Sequence, residues 1–188
     1  GIQADLKAFA RAGVHGATAI TAITAQNTVA VEAVEAVSPA MIAAQVRAVA
    51  GDLGVDAAKI GMVGGADAIA AVVAALDELP AGTPVVLDPV MVAESGARLL
   101  PEEAEEALRA ELVPRATVVT PNVPEARVLA RQGSEATPED LVRAVHALGP
   151  RVAIVTGGHR DEATDLVFDG SLLTALPGER HPDGAAHG

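Results

Sequence analysis

Four short runs of this sequence carry groups able to handle phosphate, magnesium or a heterocycle. Asp88 closes the apolar run Pro84-Val85-Val86-Leu87 and precedes Pro89. A carboxylate at the carboxyl edge of a buried strand can hold a hydrated magnesium ion; the competing structural reading is a turn-forming Asp-Pro. Asn122-Val123-Pro124-Glu125 follows a second apolar run. Asn122 there fits a helix N-cap and Glu125 the third helical position of a capping box. The same two groups, at a helix start that favours phosphate, can also face a magnesium–phosphate complex. The two readings are compatible. Thr156-Gly157-Gly158-His159 follows a third run, and glycine N–H groups can approach a nucleotide phosphate, although most Gly-Gly pairs are only turns. Gln26-Asn27 follows a small, β-branched stretch. An amide there can pair with both a donor and an acceptor of a heterocycle, while composition alone favours a polar turn.

Several chemistries are excluded. No Gly-x-x-x-x-Gly-Lys-Ser/Thr run occurs, which rejects a P-loop, and no Gly-x-Gly-x-x-Gly follows a strand. No serine sits in a Gly-x-Ser-x-Gly elbow. The histidines His15, His146, His159, His181 and His187 lack metal-ligand spacing. Cysteine is absent, so disulfides and thiolate chemistry are out, and a reducing cytoplasm is the simplest compartment. The net charge is −12, with no basic patch and almost no aromatic side chains, which argues against nucleic acid as a partner. The acidic, lysine-poor composition fits a salt-loving source and a GC-rich genome equally. No apolar run reaches membrane-spanning length and no signal peptide opens the chain.

These residues need a scaffold. The 188 residues suit one domain, 1–188. The patterns predict a helix over 3–13 ending at Gly13, a buried strand over 16–24, and an edge strand or flap over 29–37. Ser38-Pro39 opens a helix to about Leu53. A strand over 57–62, a helix over 66–79 and a strand over 84–88 follow. Helices are expected over 102–112, 124–131 and 138–148, and strands over 117–120 and 152–156. Residues 166–169 and 171–176, joined at Asp169-Gly170, predict a hairpin. Apolar strands alternating with helices predict an α/β fold with a mostly parallel sheet covered on both faces. In such folds ligands sit at the carboxyl ends of the strands, where Met62, Asp88, Asn122 and Thr156 fall.

Six ordered runs then resemble one family: residues 1–7 (GIQADLK), 21–28 (TAITAQNT), 59–62 (KIGM), 86–91 (VLDPVM), 120–125 (TPNVPE) and 157–159 (GGH). Together they resemble the bacterial and archaeal hydroxymethylpyrimidine/phosphomethylpyrimidine kinases of thiamine biosynthesis. Pyridoxal kinases share part of the pattern. The resemblance implies a ribokinase-like three-layer α/β/α sandwich. It also implies transfer of the γ-phosphoryl group of ATP, with Mg2+, to the pyrimidine's hydroxymethyl group and then to the resulting monophosphate. By resemblance, Gln26 bonds the aminopyrimidine, Asp5 lies near its polar edge, and Thr24, Met62 and Val90 line the ring pocket. Asp88 and Glu125 are the metal-side residues, and Asn122, Thr156 and Gly158 face ATP.

The resemblance also places a strand with a glycine-rich turn ahead of Gly1. It places a Gly-Ser/Thr-Gly-Cys/Asp motif, carrying the anion hole and base, after Gly188. The expectation is a partial domain, incomplete at its N- and C-termini, with no catalytic base assigned and no ATP turnover from these residues alone. Thr156 stands where many members have lysine. Two rivals remain: a pyridoxal kinase on the same scaffold, and a non-catalytic pyrimidine-binding module. A homodimer through the valine-rich edge 29–37 is a further expectation.

Overall fold

The computed structural model describes residues 1–27, 29–93, 96–157 and 164–178. Four of its strands are short apolar runs that pair in parallel, in the order in which the chain makes them. They are β3 (Ala58–Ile60), β4 (Val85–Leu87), β5 (Val118–Val119) and β6 (Val152–Val155). Two antiparallel strands extend the sheet beyond β6: β7 (Thr164–Phe168) and β8 (Leu173–Pro177). They form the expected hairpin, with Gly170 turning the chain at φ 94°.

The helices between the parallel strands are α3 (Ala66–Leu76), α4 (Glu102–Ala107), α5 (Val123–Ala130) and α6 (Pro138–His146). α4 runs on through a wider turn over Leu108–Leu112 and a tight one over Val113–Arg115, where Pro114 has no N–H to continue the ladder. Parallel crossovers are right-handed as a rule, so successive ones in one direction put these helices on one face of the sheet. Burial agrees with that placement. Val85, Leu87, Val119, Ala153 and Val155 are buried, whereas the alternating residues Val86, Val118, Val152 and Ile154 are only half-buried. The core joins the buried strand residues to Ile69, Leu100, Leu112, Leu129 and Leu141, among others. Each fully buried Leu or Ile there contributes roughly 1.5–3 kcal/mol.

Three elements precede this ladder. α1 (Ile2–Arg11) has no buried residue. A two-stranded antiparallel ribbon follows, β1 (Ala22–Gln26) and β2 (Val31–Ala36), with an irregularity between Ala25 and Gln26. α2 (Pro39–Asp52) starts at Ser38, whose side chain accepts a hydrogen bond from the Met41 N–H.

The ribbon corrects one expectation. Residues 14–20 lack strand pairing, and β1 belongs to the ribbon rather than to the main sheet. Small and β-branched residues favour an extended backbone, but Gly16, Ala17, Thr18 and Ala19 offer little apolar bulk to bury. The segment is held by polar clamps instead. The Gln45 amide accepts from the Ile20 N–H and donates to the Ile20 carbonyl, both at 2.9 Å. Thr21 Oγ1 donates to the Met62 carbonyl at 2.7 Å. Among the described residues, no helix is long and apolar enough to cross a membrane.

Candidate active site

The carboxyl ends of β4, β5 and β6 open onto a cleft of about 330 Å³ lined by Asp88, Val90, Val92, Thr120, Asn122, Glu125 and Thr156. The strand register explains why these groups converge. Leu87 pairs with Val119 and Val119 with Ala153, so β4 and β5 end level while β6 runs two residues further, which sets Thr156 beside Asn122 in a parallel bridge. Asp88 then extends the β3–β4 ladder by one rung, its N–H donating to the Ile60 carbonyl at 2.8 Å. Thr156 does the same at the end of β6, its N–H donating to the Pro121 carbonyl at 2.9 Å.

Asn122 and Glu125 form the capping box that their spacing predicts. The Asn122 Oδ1 accepts from the Glu125 N–H, and Glu125 Oε2 accepts from the Asn122 N–H, each at 2.9 Å. Glu125 is only 7 % exposed and is the one buried charged residue among the described positions. Its Oε1 also accepts from the Met91 N–H at 3.4 Å. A buried carboxylate is tolerable here because backbone donors surround it.

At the end of β6, Gly157 is required by space. A Cβ there would lie 2.2 Å from the Thr164 carbonyl oxygen and 2.6 Å from the Thr164 nitrogen. The Gly157 N–H donates to Asp165 Oδ1 at 2.8 Å, which fixes the start of the glycine pair. Gly158 and His159 lie outside the described residues.

The structure thus gathers Asp88, Val90, Asn122, Glu125 and Thr156 into one cleft. Thr24 and Gln26 lie on β1, Thr24 half-buried and Gln26 exposed where the ribbon's register shifts. Met62 is half-buried and fastened through its carbonyl to Thr21. Asp5, in the first turn of α1, reaches the sheet through a residue that sequence reasoning passed over. Lys59 Nζ lies 3.1 Å from Asp5 Oδ2 and 3.4 Å from Asp88 Oδ2. The available signal was a lysine inside an apolar strand, in a chain whose other lysine is Lys7. Val92 and Thr120 also line the cleft without having been singled out.

The donor set suits magnesium. Asp88 and Glu125 are hard oxygen donors at one cleft, and Asn122, Thr120 and Thr156 supply neutral oxygens. No cluster of three or more His, Cys, Asp or Glu able to hold a metal occurs among the described residues. Two carboxylates with phosphate and water completing the shell is the pattern magnesium takes at nucleotide sites.

Comparison with known proteins agrees with this architecture. The family model described as phosphomethylpyrimidine kinase matches residues 1–188. A hydroxymethylpyrimidine/phosphomethylpyrimidine kinase of Rhizobium meliloti is 49% identical over 193 residues, covering 100% of this chain and 72% of that protein. Among solved structures, the phosphomethylpyrimidine kinase of Clostridium difficile aligns with a TM-score of 0.84 at 38% identity, over 99% of this chain and 81% of that one. The ADP complex of Bacillus subtilis pyridoxal kinase aligns with a TM-score of 0.83 at 35% identity, over 97% of this chain and 71% of that one. The fold is that of the ribokinase-like vitamin kinases, an α/β architecture around a mostly parallel sheet. Within that class, the chain belongs to the phosphomethylpyrimidine kinase family.

Proposed function

We propose that the protein transfers the γ-phosphoryl group of ATP to the hydroxymethyl group of 4-amino-5-hydroxymethyl-2-methylpyrimidine, and then to the monophosphate, in thiamine biosynthesis. The observation that carries this reading is the family match along the whole chain. The cleft that unites Asp88, Asn122 and Glu125 at the strand ends supports it. Phosphoryl transfer asks a protein mainly for positioning and charge neutralisation, and this cleft supplies both kinds of group.

In this reading Asp88 and Glu125 hold magnesium, whose chemistry is to neutralise charge on the phosphates. Asn122 and Thr156 face the nucleotide, and the resemblance adds Gly158 to the ATP contacts. Asn122 is pinned by its bonds with Glu125, so its side chain is oriented before ATP arrives. On the other side, Gln26 pairs with the aminopyrimidine through its amide, and Asp5 faces the ring's polar edge. Thr24, Met62 and Val90 bound the ring. The ribbon carries Gln26 and Thr24 and closes the substrate side.

The reading includes a cytoplasmic setting, in keeping with a cysteine-free sequence, and a homodimer. The dimer part of this reading rests on the unpaired edges of the ribbon, where Ile23 is 62% and Val34 50% exposed, one on each face.

The test is phosphorylation by the whole purified protein with ATP and magnesium, comparing the hydroxymethylpyrimidine, its monophosphate and pyridoxal. Phosphorylation of both pyrimidines in preference to pyridoxal is expected. Preference for pyridoxal would transfer the assignment to the pyridoxal kinases. Pyrimidine binding without any turnover would make the protein a binding module.

A further inference from the structure

Lys59 sits in the middle of β3, paired in register with Val86 of β4. Asp88 is two residues beyond Val86, so it shares a face with Lys59 as its diagonal neighbour, within reach of a long side chain. The ammonium group does reach it, at 3.4 Å, and at the same time meets Asp5 of α1 at 3.1 Å. All three side chains are largely covered, at 22%, 27% and 38% exposure for Lys59, Asp5 and Asp88. A lysine serving only solubility would keep its charge in water.

Gly61 gives the ammonium its room. It lies two residues past Lys59 on the same face, and a Cβ there would stand 3.2 Å from Lys59 Nζ. The missing side chain leaves the space over which the ammonium turns toward both carboxylates. The bridge also matters to α1, which has no buried residue. Its Leu6 and Phe9 pack over Gly16, where a Cβ would come within 2.6 and 3.1 Å of them. The Lys59–Asp5 pair is its charged tie to the sheet.

We propose that Lys59 is a positioning residue of this site: one ammonium, seated over Gly61, fixes the substrate-side carboxylate of Asp5 and the metal-side carboxylate of Asp88 relative to each other. Without that cation the two carboxylates repel, and α1 is free to carry Asp5 away from the pyrimidine. The inference rests on the functional reading above, in which Asp5 faces the pyrimidine.

The experiment measures pyrimidine binding by titration calorimetry on the whole protein, without metal or nucleotide. The variants are Lys59→Met, Lys59→Arg, Gly61→Ala and the Lys59→Met/Gly61→Ala double substitution, with thermal melting alongside. Lys59→Met is expected to weaken binding roughly tenfold, within the range for residues coupled in one salt-bridge network, and Lys59→Arg to recover part of it. Gly61→Ala keeps every charge and is expected to weaken binding without lowering the melting temperature. Its effect should vanish in the Lys59→Met background, because it acts through the ammonium. Wild-type affinity in both single variants, or an additive double variant, would overturn the proposal while leaving the functional reading intact. If Lys59→Met fails to fold, Gly61→Ala alone decides. Failure of the wild-type protein to bind the pyrimidine would overturn the functional reading and this inference with it.

Discussion

Asn122 and Glu125 hold each other in place: each side chain accepts the other's backbone N–H at 2.9 Å. The bond pair both starts α5 and points two polar groups into the cleft, so stability and binding are separable only by substitutions that keep the cap. Asn122→Ala is expected to cost about 1 kcal/mol of unfolding free energy. Asn122→Ser keeps a capping oxygen but loses the amide. Its melting should stay near wild type while the KM for ATP rises. Denaturant unfolding and initial-rate kinetics check the two halves.

Glu125→Gln is a harsher change than its size suggests. Both carboxylate oxygens accept from backbone donors, Met91 and Asn122. A glutamine offers one acceptor and turns an NH2 group toward a donor. With 7 % exposure, the mismatch should cost about 1–3 kcal/mol, and the lost charge should lower the affinity for magnesium. Chemical denaturation and metal titration read these separately.

Gly157→Ala tests whether the end of β6 is set by space. The added Cβ meets Thr164 backbone atoms rather than a flexible side chain, so β7 must shift. A loss of about 1–3 kcal/mol is expected, with faster amide exchange along β6 and β7 as the structural readout. An unchanged melting temperature would mean that β7 gives way freely.

Gln45→Ala removes two bonds to the Ile20 backbone at once. Exchange at the Ile20 amide should accelerate, and stability should fall by about 1–2 kcal/mol. The ribbon then loses an anchor, so pyrimidine binding should weaken while the core melts cooperatively as before.

One pH effect has a defined sign. The Asp169 carboxylate accepts from the Leu172 N–H, the Ser171 N–H and the Ser171 hydroxyl, which lowers its pKa from 3.8 to about 2. A depressed carboxylate contributes stability above its unfolded pKa and loses it as pH falls through the folded value. Stability should therefore decline between pH 3.8 and about 2, and Asp169→Ala should flatten part of that slope. The group is exposed, so the effect is small. A carboxyl-carbon titration by NMR gives the midpoint directly.

The self-association reading has its own check. Val34→Glu places a charge on the half-exposed ribbon. Sedimentation should report a dimer for the wild-type protein and a monomer for the variant; a wild-type monomer removes the dimer from the reading.

Much of this was legible in residue order. The alternation of apolar runs with capped helices yields β3 to β6 and their helices, because turn and cap chemistry is local: Ser38, Asn122 and Thr137 all cap through side-chain bonds. Asp88 and Thr156 were locatable because each immediately follows a strand, and Asn122 because it caps the helix that opens just past one. The ribbon was legible only in part: the edge strand or flap expected over 29–37 is β2 (Val31–Ala36), but its pairing with β1 was not foreseen. A β-branched run such as Ala22–Gln26 indicates extended backbone but says nothing about its partner, and its burial depends on residues far away. Lys59 was missed for a related reason. A charge in a three-residue strand reads as an edge position, and only the diagonal pairing with Asp88 and the reach of α1 give it a role.

The parallel ladder grows in a single direction, each strand docking on the one synthesised just before it. A nascent chain leaving the ribosome therefore never needs to insert a late strand between two early ones. At each stage the only growing edge is the one the next segment covers. Parallel sheets close long loops and are slow to assemble, and exposed edges invite aggregation while they wait. Laying the strands down in sequence leaves the newest edge open only until the next strand arrives, so this sheet is suited to being built during translation rather than after it.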